Sequence, residues 1–284
     1  MAACRLLFIT GFFFAATAAF AESLEVMTFN LRVPNRADGP DYWELRKPRV
    51  AAVLKKYDPD LVGAQEAQPS MLDYLVHEAP QYAWFGLDRD GTGRGETNGV
   101  LVKKARFVVR ASSTVWLSDT PMPPPRQGNV LPRVVVSVTL ECRPSGATLL
   151  FINTHFDHQS QPSRERSALF VWALVSAASG TIPTILLGDL NAGPDNPVIR
   201  FLRGQAELGG RRAGLPDVYS GLGMDLSSRY SFTAFAETGR PGNVIDWIFF
   251  TPDVKVESAR LIEDRIDGRW PSDHLPVIAT LVLP

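Results

Sequence analysis

The chain has 284 residues, of which 45% are hydrophobic and 21% are charged, and its formal net charge is −1. This is ordinary globular composition, and the length allows one large domain or two small ones. The near-neutral charge excludes a global basic field that would collect nucleic acid, although a local basic patch is sufficient for phosphate contacts.

The first 21 residues have the three regions of a secretory signal peptide. Arg5 gives a positive start, residues 6–20 are almost wholly apolar, and residues 19–21 form an A-x-A cleavage signature. The segment is too short and wrongly flanked for a stable transmembrane helix. We therefore expect export after cleavage, to the periplasm or the medium, and a single mature domain from residue 22 to 284.

Cleavage would change the charge and the cysteine content. It removes Arg5 and no acidic residue, so the mature net charge becomes −2. Cys4 leaves with the signal, and Cys142 then has no disulfide partner. We expect Cys142, which lies in a β-like run, to be a small buried hydrophobe. The fold must then depend on its core, which about 260 residues can supply.

The rest of the chain mixes strand-like and helix-like segments. Strands outnumber helices, and the helices are interspersed rather than strictly alternating, which predicts an α/β sandwich of packed sheets with helices outside. The predicted elements are, in chain order, strand 24–31, helix 42–57, strand 61–64, helix 69–79, strands 82–87, 98–102, 107–117, 133–141 and 148–156, helix 162–178, strand 184–187, helix 197–202, and strands 244–250, 254–262 and 276–283.

Six polar clusters lie where these hydrophobic strands end. Because strand ends converge at one edge of a sheet, residues far apart in sequence can meet there. Asp, Glu and Asn are hard oxygen ligands for Mg²⁺, Mn²⁺ or Ca²⁺, and histidines can act on phosphate oxygens. The set predicts metal-assisted phosphate ester chemistry. The clusters are FNLR (29–32), GAQE (63–66), NTHFDH (153–158), GDLN (188–191), IDW (245–247) and SDH (272–274).

These clusters carry a resemblance to a known family. From Val26 to Leu281 the chain resembles the endonuclease/exonuclease/phosphatase superfamily, which includes deoxyribonuclease I, AP endonucleases and bacterial sphingomyelinases. The motifs F-N-L, Q-E, T-H, G-D-x-N and S-D-H occur in the same order as in the family. The resemblance implies a four-layer, deoxyribonuclease I-like α/β sandwich, with two mainly antiparallel sheets face to face. The residues after the T-H motif resemble a bacterial exported subgroup of unassigned substrate.

The resemblance also implies roles for individual residues. A divalent metal (Mg²⁺, or Mn²⁺ or Ca²⁺) would be held chiefly by Glu66, with Asn30 and Asp273. Asp189 and Asn191 would orient the attacking water and the phosphate. The implied catalytic set, in which Asp246 orients His274, is His155, Asp189, Asn191, Asp246 and His274.

Six further residues are candidate contacts to the substrate or its phosphate. Arg32 occupies a position at which AP endonucleases carry an aspartate, which argues against their two-site metal arrangement. Glu96 is the candidate partner of His155, because the deoxyribonuclease I branch pairs that histidine with a glutamate. The six are Arg32, Glu96, Asp157, His158, Arg133 and Arg164.

We expect a monomeric hydrolase that cleaves a phosphate mono- or diester by in-line attack of an activated water. Three alternatives stay open: a nuclease acting on DNA or RNA, a sphingomyelinase-like phospholipid phosphodiesterase, and a non-catalytic protein that binds a phosphorylated ligand. Nucleic acid and membrane lipid therefore stay open as partners. The loop 121–125 offers only Met122 to a membrane, and the intact set of acids and histidines argues against a protein that only binds.

Overall fold

A computed structural model describes residues 22–117 and 131–284. The predicted signal peptide and the proline-rich loop with Met122 lie outside these residues. The elements are, in chain order, β1 (Ser23–Asn30), a 3₁₀ helix (Arg36–Asp41), α1 (Trp43–Tyr57), β2 (Leu61–Ala67), α2 (Pro69–Glu78), β3 (Tyr82–Phe85), β4 (Thr97–Lys103), β5 (Phe107–Trp116), β6 (Val134–Cys142), β7 (Thr148–His155), α3 (Gln161–Ala178), β8 (Thr184–Asp189), α4 (Pro197–Leu202), α5 (Val218–Gly221), β9 (Asp246–Phe250), β10 (Lys255–Leu261) and β11 (Val277–Val282).

The strands form two sheets. One has six strands in the order β10-β11-β1-β2-β4-β3, and the other has five in the order β5-β6-β7-β8-β9. The pairs β1–β2 and β7–β8 are parallel, whereas the other pairs are antiparallel. The predicted fold class, an α/β sandwich of two mainly antiparallel sheets, is confirmed.

Two apolar cores hold the layers together. The larger lies between the sheets and contains Val26 and Val100 of one sheet and Val138 and Leu187 of the other, all fully buried. A second core joins the outer face of the six-stranded sheet to α1 and α2. Burying each such side chain contributes roughly 1.5–3 kcal/mol relative to leaving it exposed. The sheets are therefore a rigid base for the residues at their ends.

A polar bridge crosses the apolar interface between the sheets. Asn153 donates a hydrogen bond to the carbonyl of Ala64 at 3.1 Å and accepts one from Gln65 Nε2 at 2.7 Å. Gly63 makes room for it, because a Cβ there would lie 2.9 Å from Asn153 Cγ. Buried amides are costly unless they are hydrogen-bonded, so these partners fix the register of one sheet on the other.

Short helices are the main elements that the sequence patterns missed. The helix α5 has four residues, too few for a helical period. It is capped by the preceding Asp217, whose carboxylate accepts the backbone N–H groups of Tyr219 and Ser220. Cys142 is buried and unpaired in β6. No helix within the described ranges has the length and apolar character that crossing a membrane requires.

Candidate active site

The ends of β1, β2, β7, β8 and β9 meet the loop before β11 around a cleft of about 330 Å³. In the five-stranded sheet, His155, Asp189 and Asp246 are register partners across β7, β8 and β9, so they form one row. The cleft is lined by Arg32, Glu66, His155, His158, Asp189, Asn191, Phe232, Ile245, Asp273 and His274.

Asp189 lies at the centre of the cleft. Its Oδ2 accepts a hydrogen bond from Asn30 Nδ2 at 3.0 Å and lies 3.5 Å from His155 Nε2 and 3.8 Å from His274 Nε2. Burial, and then the negative charge of Asp246, raise the pKa of Asp189 to about 7, although His274 opposes this rise. A carboxylate with such a pKa can accept a proton near neutral pH.

Unusual backbone conformations aim several of these side chains. Gly188 has a φ of +148°, and a Cβ there would lie 1.9 Å from the carbonyl oxygen of Thr154, so only glycine can precede Asp189. Arg32, Glu66 and Asn191 have φ values of 58°, 53° and 47°, in the left-handed region that non-glycine residues rarely adopt. Such strain persists where the surrounding structure imposes it.

His274 is held by a buried carboxylate. Its Nδ1 lies 2.9 Å from Asp246 Oδ2, which also accepts the Ser231 hydroxyl at 2.6 Å. Burial lowers the pKa of His274, but the charges of Asp246 and Asp189 outweigh it and raise the pKa to about 10. His274 is therefore an imidazolium at neutral pH, with Nδ1–H bound to Asp246 and Nε2–H facing Asp189.

His155 has the opposite electrostatic environment. Its Nδ1 lies 3.0 Å from Arg133 Nη1, and burial, followed by the charge of Arg133, lowers its pKa well below the usual value. The expected pairing of His155 with Glu96 is wrong, because Glu96 binds Arg89 at 2.7 Å and lies 3.9 Å from Arg133. A cation occupies the place where the resemblance implied a carboxylate.

The other side of the cleft is acidic. Glu66 Oε1 accepts from Asn30 Nδ2 at 3.1 Å, and Oε2 accepts the backbone N–H of Val33 at 2.9 Å. Burial alone would raise the pKa of Glu66. The hydrogen bond from the Val33 N–H and the charge of His274 outweigh this effect, so the pKa of Glu66 lies below its usual value. Burial, and then the charge of Glu66, raise the pKa of Asp273.

These donors fit a divalent cation. The half-buried carboxylate of Glu66 and the buried carboxylate of Asp273 repel each other, and oxygen ligands of this kind suit Mg²⁺, Mn²⁺ and Ca²⁺. Within the described ranges, ligand atoms of Asp189, Asp246 and His274 also lie within 4.8 Å of one another. The Oδ2 of Asp246 is already occupied by His274 and Ser231, so this second set is arranged chiefly as a hydrogen-bonded relay.

Arginines support the acidic side. Arg32 binds Asp38 through Nε at 3.0 Å and Nη2 at 2.9 Å, and its Nε lies 3.7 Å from Asp273 Oδ2. Arg46, which is fully buried, donates to the carbonyls of Arg32 and, at 3.1 Å, of Pro271. It thereby joins the loop after β1 to the loop that carries Asp273.

Four of the six predicted substrate contacts do not line the cleft: Glu96, described above, and Arg133, Asp157 and Arg164. Arg133 is only 3% exposed, and both of its terminal nitrogens face histidines. Asp157 is fully buried, and its Oδ1 accepts the backbone N–H of Gln159 at 2.8 Å. Arg164 donates to the carbonyl of Asp157 at 2.7 Å. These three residues lie behind the wall that carries His158, so a direct contact of theirs with the substrate stays a prediction.

Sequence reasoning missed three residues that build the site. Ser231 and Phe232 lie in an irregular loop, and Phe232 packs on the His274 ring with centroids 4.9 Å apart. Neither has a local motif that would have identified it. Arg46 did have a signal, because it interrupts the apolar helical stripe of Trp43, Val50 and Val53. A cation on the buried face of a helix indicates a partner inside the protein.

This fold and cleft define a class of protein: a four-layer α/β sandwich whose acids, amides and histidines meet at one end of two packed sheets. The family model described as "Endonuclease/Exonuclease/phosphatase family" matches residues 27–274. The chain belongs to that family. The family, the fold and the enzyme class that the sequence predicted, a phosphoester hydrolase, are confirmed.

Individual relatives differ in what their names say they act on. Tyrosyl-DNA phosphodiesterase 2 of Danio rerio is 27% identical over 259 residues, which cover 86% of this chain and 64% of that enzyme. This chain thus spans less than two thirds of that relative's length. An endonuclease/exonuclease/phosphatase from Bacteroides vulgatus superposes with a TM-score of 0.82 at 27% identity, covering 93% of this chain and 100% of that one. A mannosyl-6-phosphatase from Bacteroides thetaiotaomicron superposes with a TM-score of 0.79 at 28% identity, covering 92% and 100%.

Proposed function

We propose that this protein hydrolyses a phosphate ester with a divalent cation and that Asp189 is its general base. The observation that carries the proposal is the position of Asp189 Oδ2, which faces Asn30, His155 and His274 in a cleft of about 330 Å³. Its raised pKa, about 7, suits proton transfer from water at neutral pH.

Asp189 and His274 have different roles in the proposed reaction. Asp189 orients a water for in-line attack on phosphorus and takes its proton. The new P–O bond forms as the bond to the leaving oxygen breaks, and that oxygen takes a proton from solvent. His274, charged and held by Asp246, donates Nε2–H to a phosphoryl oxygen and stabilises the negative charge that develops there. Asn191, whose backbone N–H donates to Asp189 Oδ1 at 2.9 Å, keeps the carboxylate in this orientation.

Glu66, Asn30 and Asp273 are the residues that would hold the cation. Mg²⁺ is the first choice, with Mn²⁺ and Ca²⁺ as alternatives, because the donors are oxygens. When bound, such a cation supplies positive charge to the phosphoryl oxygens and lowers the pKa of a coordinated water. Arg32 limits the negative charge at Asp273, to which its Nε lies 3.7 Å away.

A small phosphomonoester is the substrate class we favour. The cleft volume, about 330 Å³, is at the low end for ligand pockets, which suits a phosphoryl group with a small leaving group. The net charge of −1 gives no field for a long polyanion. The similarity to a mannosyl-6-phosphatase over that whole chain supports the same choice.

A substrate panel tests both the assignment of Asp189 as the base and the substrate class. Mannose 6-phosphate, p-nitrophenyl phosphate, bis(p-nitrophenyl) phosphate, sphingomyelin and 5′-tyrosyl single-stranded DNA are compared with each cation and with EDTA. We expect EDTA-sensitive hydrolysis of the monoesters and a loss of at least about 10²-fold in kcat for Asp189→Asn. Asp195→Asn, an exposed aspartate of the following loop, is the matched control.

Two outcomes would count against the proposal separately. Full EDTA-sensitive activity in Asp189→Asn would refute the assignment of the base. A higher kcat/KM for the tyrosyl DNA or sphingomyelin than for either monoester would overturn the substrate class and leave the enzyme class intact.

A further inference from the structure

The geometry points to Arg133 as a positioning residue that fixes one tautomer in two histidines at once. In this arrangement neither ring carries a proton on Nδ1. His155 presents Nε2–H to the cleft, whereas His158 Nε2 lies 3.4 Å from Gln159 Nε2. The effect on catalysis rests on the proposed function, whereas the tautomers can be observed without any turnover.

The contacts of Arg133 leave one assignment of the protons. Its Nη1 lies 3.0 Å from His155 Nδ1, and its Nη2 lies 3.3 Å from His158 Nδ1. A guanidinium can only donate, so each Nδ1 must accept and therefore carries no proton. A neutral ring without a proton on Nδ1 carries it on Nε2.

The sheet holds the guanidinium in this position. Arg133 immediately precedes β6, and Val135 of that strand is the register partner of Thr154, the residue before His155. Arg133 is 3% exposed, so it cannot leave its partners for the solvent. The nearby carboxylate of Glu96 lies 3.9 Å from Nη1 and is itself bound to Arg89 at 2.7 Å.

The tautomer changes what the cleft offers to a ligand. His155 Nε2 lies 3.0 Å from Asn191 Nδ2, which also donates to the carbonyl of Phe156 at 3.0 Å. Both facing nitrogens are then donors, so this contact is not a hydrogen bond within the protein. Two N–H groups side by side suit one acceptor oxygen: Asp189 Oδ2 lies 3.5 Å from His155 Nε2 in the free cleft, and a phosphoryl oxygen can take that role when a ligand binds.

The two sides of the cleft therefore use histidine differently. His274 is charged because its Nδ1 faces the carboxylate of Asp246 at 2.9 Å. The Nδ1 atoms of His155 and His158 instead face a cation that is shielded from solvent. His155 therefore orients the phosphoryl group as a neutral donor and does not deliver a proton to the leaving group.

Nitrogen NMR on the full chain tests the tautomers directly. The chain has four histidines, so protein labelled with ¹⁵N-histidine gives few ring signals, which His155→Gln, His158→Gln and His77→Gln assign. At neutral pH we expect an unprotonated Nδ1 and a protonated Nε2 for His155 and His158. A protonated Nδ1 on His155 in the wild-type protein would overturn the inference, whatever the variants do.

Variants then separate positioning from folding. Arg133→Met removes both donors, and we expect the tautomers of both rings to become mixed, whereas Arg133→Lys, with one ammonium, should keep at most one ring fixed. Arg110→Met is the control, because Arg110 lies on β5 and its guanidinium binds Glu141 at the surface. Unchanged ring signals in a folded Arg133→Met protein would refute the inference.

Kinetics give the second readout. We expect Arg133→Met to lower kcat by about tenfold to a hundredfold with a smaller change in KM, because misplaced groups lower the rate more than binding. Absence of turnover on every substrate would contradict the proposed function while the NMR result still decided the inference. Normal kcat in Arg133→Met, in a protein that hydrolyses the monoesters, would count against the positioning role alone.

Discussion

Asp246 and His274, twenty-eight residues apart, form the shortest contact between an acid and a histidine in the cleft, 2.9 Å from Oδ2 to Nδ1. The other carboxylate oxygen of Asp246, Oδ1, is buried and has no hydrogen-bond partner among the described residues. The burial of this carboxylate is therefore compensated mainly by His274 and Ser231. This contact keeps the His274 ring charged and fixes its orientation.

Asp246→Asn should test this pairing. The amide keeps the shape but removes the charge, so the pKa of His274 falls and the ring loses its fixed orientation. We expect kcat to decrease by about 10²-fold or more, with KM changed less. Asp253→Asn, at an exposed position beyond the other end of β9, should leave kcat unchanged. Equal activity of the two variants would show that the pairing is structural only.

Arg46→Met should lower stability more than an exposed arginine does. The change leaves the carbonyls of Arg32 and Pro271 without their buried donor, and each such loss costs roughly 1–3 kcal/mol. We expect a decrease of about 2–4 kcal/mol in the free energy of unfolding, measured with urea. Arg36→Met, an exposed arginine in the adjacent 3₁₀ helix, is the comparison. A decrease no larger than that of Arg36→Met would contradict this role.

Gly188→Ala should damage the site through a backbone clash. The new Cβ would lie 1.9 Å from the Thr154 carbonyl oxygen, whereas the same change at Gly180, φ +78°, meets nothing within 4 Å. We expect Gly188→Ala to lose more than about 3 kcal/mol of stability. Gly180→Ala should lose only the left-handed strain, about 1–2 kcal/mol. Thermal unfolding of both variants measures the difference, and similar melting temperatures would refute the clash.

Cys142 should be inert in the folded protein. Burial raises the pKa of its thiol to about 12 from the usual 9.0, so at pH 8 the folded thiol stays protonated and shielded. In a Cys4→Ser background, Ellman's reagent should react only as fast as the chain unfolds.

The same shift has a consequence for stability at alkaline pH. Above pH 9 the unfolded thiol ionises while the folded one does not, so the unfolded state releases the proton first. The contribution of this group to stability is present below pH 9 and is lost as the pH rises toward about 12. Urea titrations of Cys142→Ala should show a smaller alkaline decline than the parent. An equal decline in both would exclude the effect.

Export is a separate prediction, made from residues 1–21 alone. Expression in a bacterial host should yield mature protein that begins at Glu22 in the periplasm or the medium, as read by mass spectrometry. Ala19→Asp, which places a charge in the A-x-A signature, should block this cleavage. Full-length protein confined to the cytoplasm in both cases would contradict the prediction.

The sequence was informative where chemistry coincides with a strand end. Asn30, His155 and Asp189 each close a hydrophobic strand, and periodicity locates such positions because burial ends there. Partners of the site residues were harder to predict. The pairing of His155 with Arg133 depends on the register of β6 on β7, which no local pattern encodes. Ser231 lies in a loop that only the tertiary structure brings to Asp246.

Backbone strain at Arg32, Glu66 and Asn191 has a consequence for how relatives of this chain diverge. A glycine would adopt each of these left-handed conformations more easily, by roughly 1–3 kcal/mol. All three side chains line the cleft. A descendant that lost its chemistry would be released from this constraint, and it could gain thermal stability by replacing all three. Loss of these left-handed conformations would therefore distinguish a relative that has lost its catalytic activity from one that has kept it, without an enzyme assay.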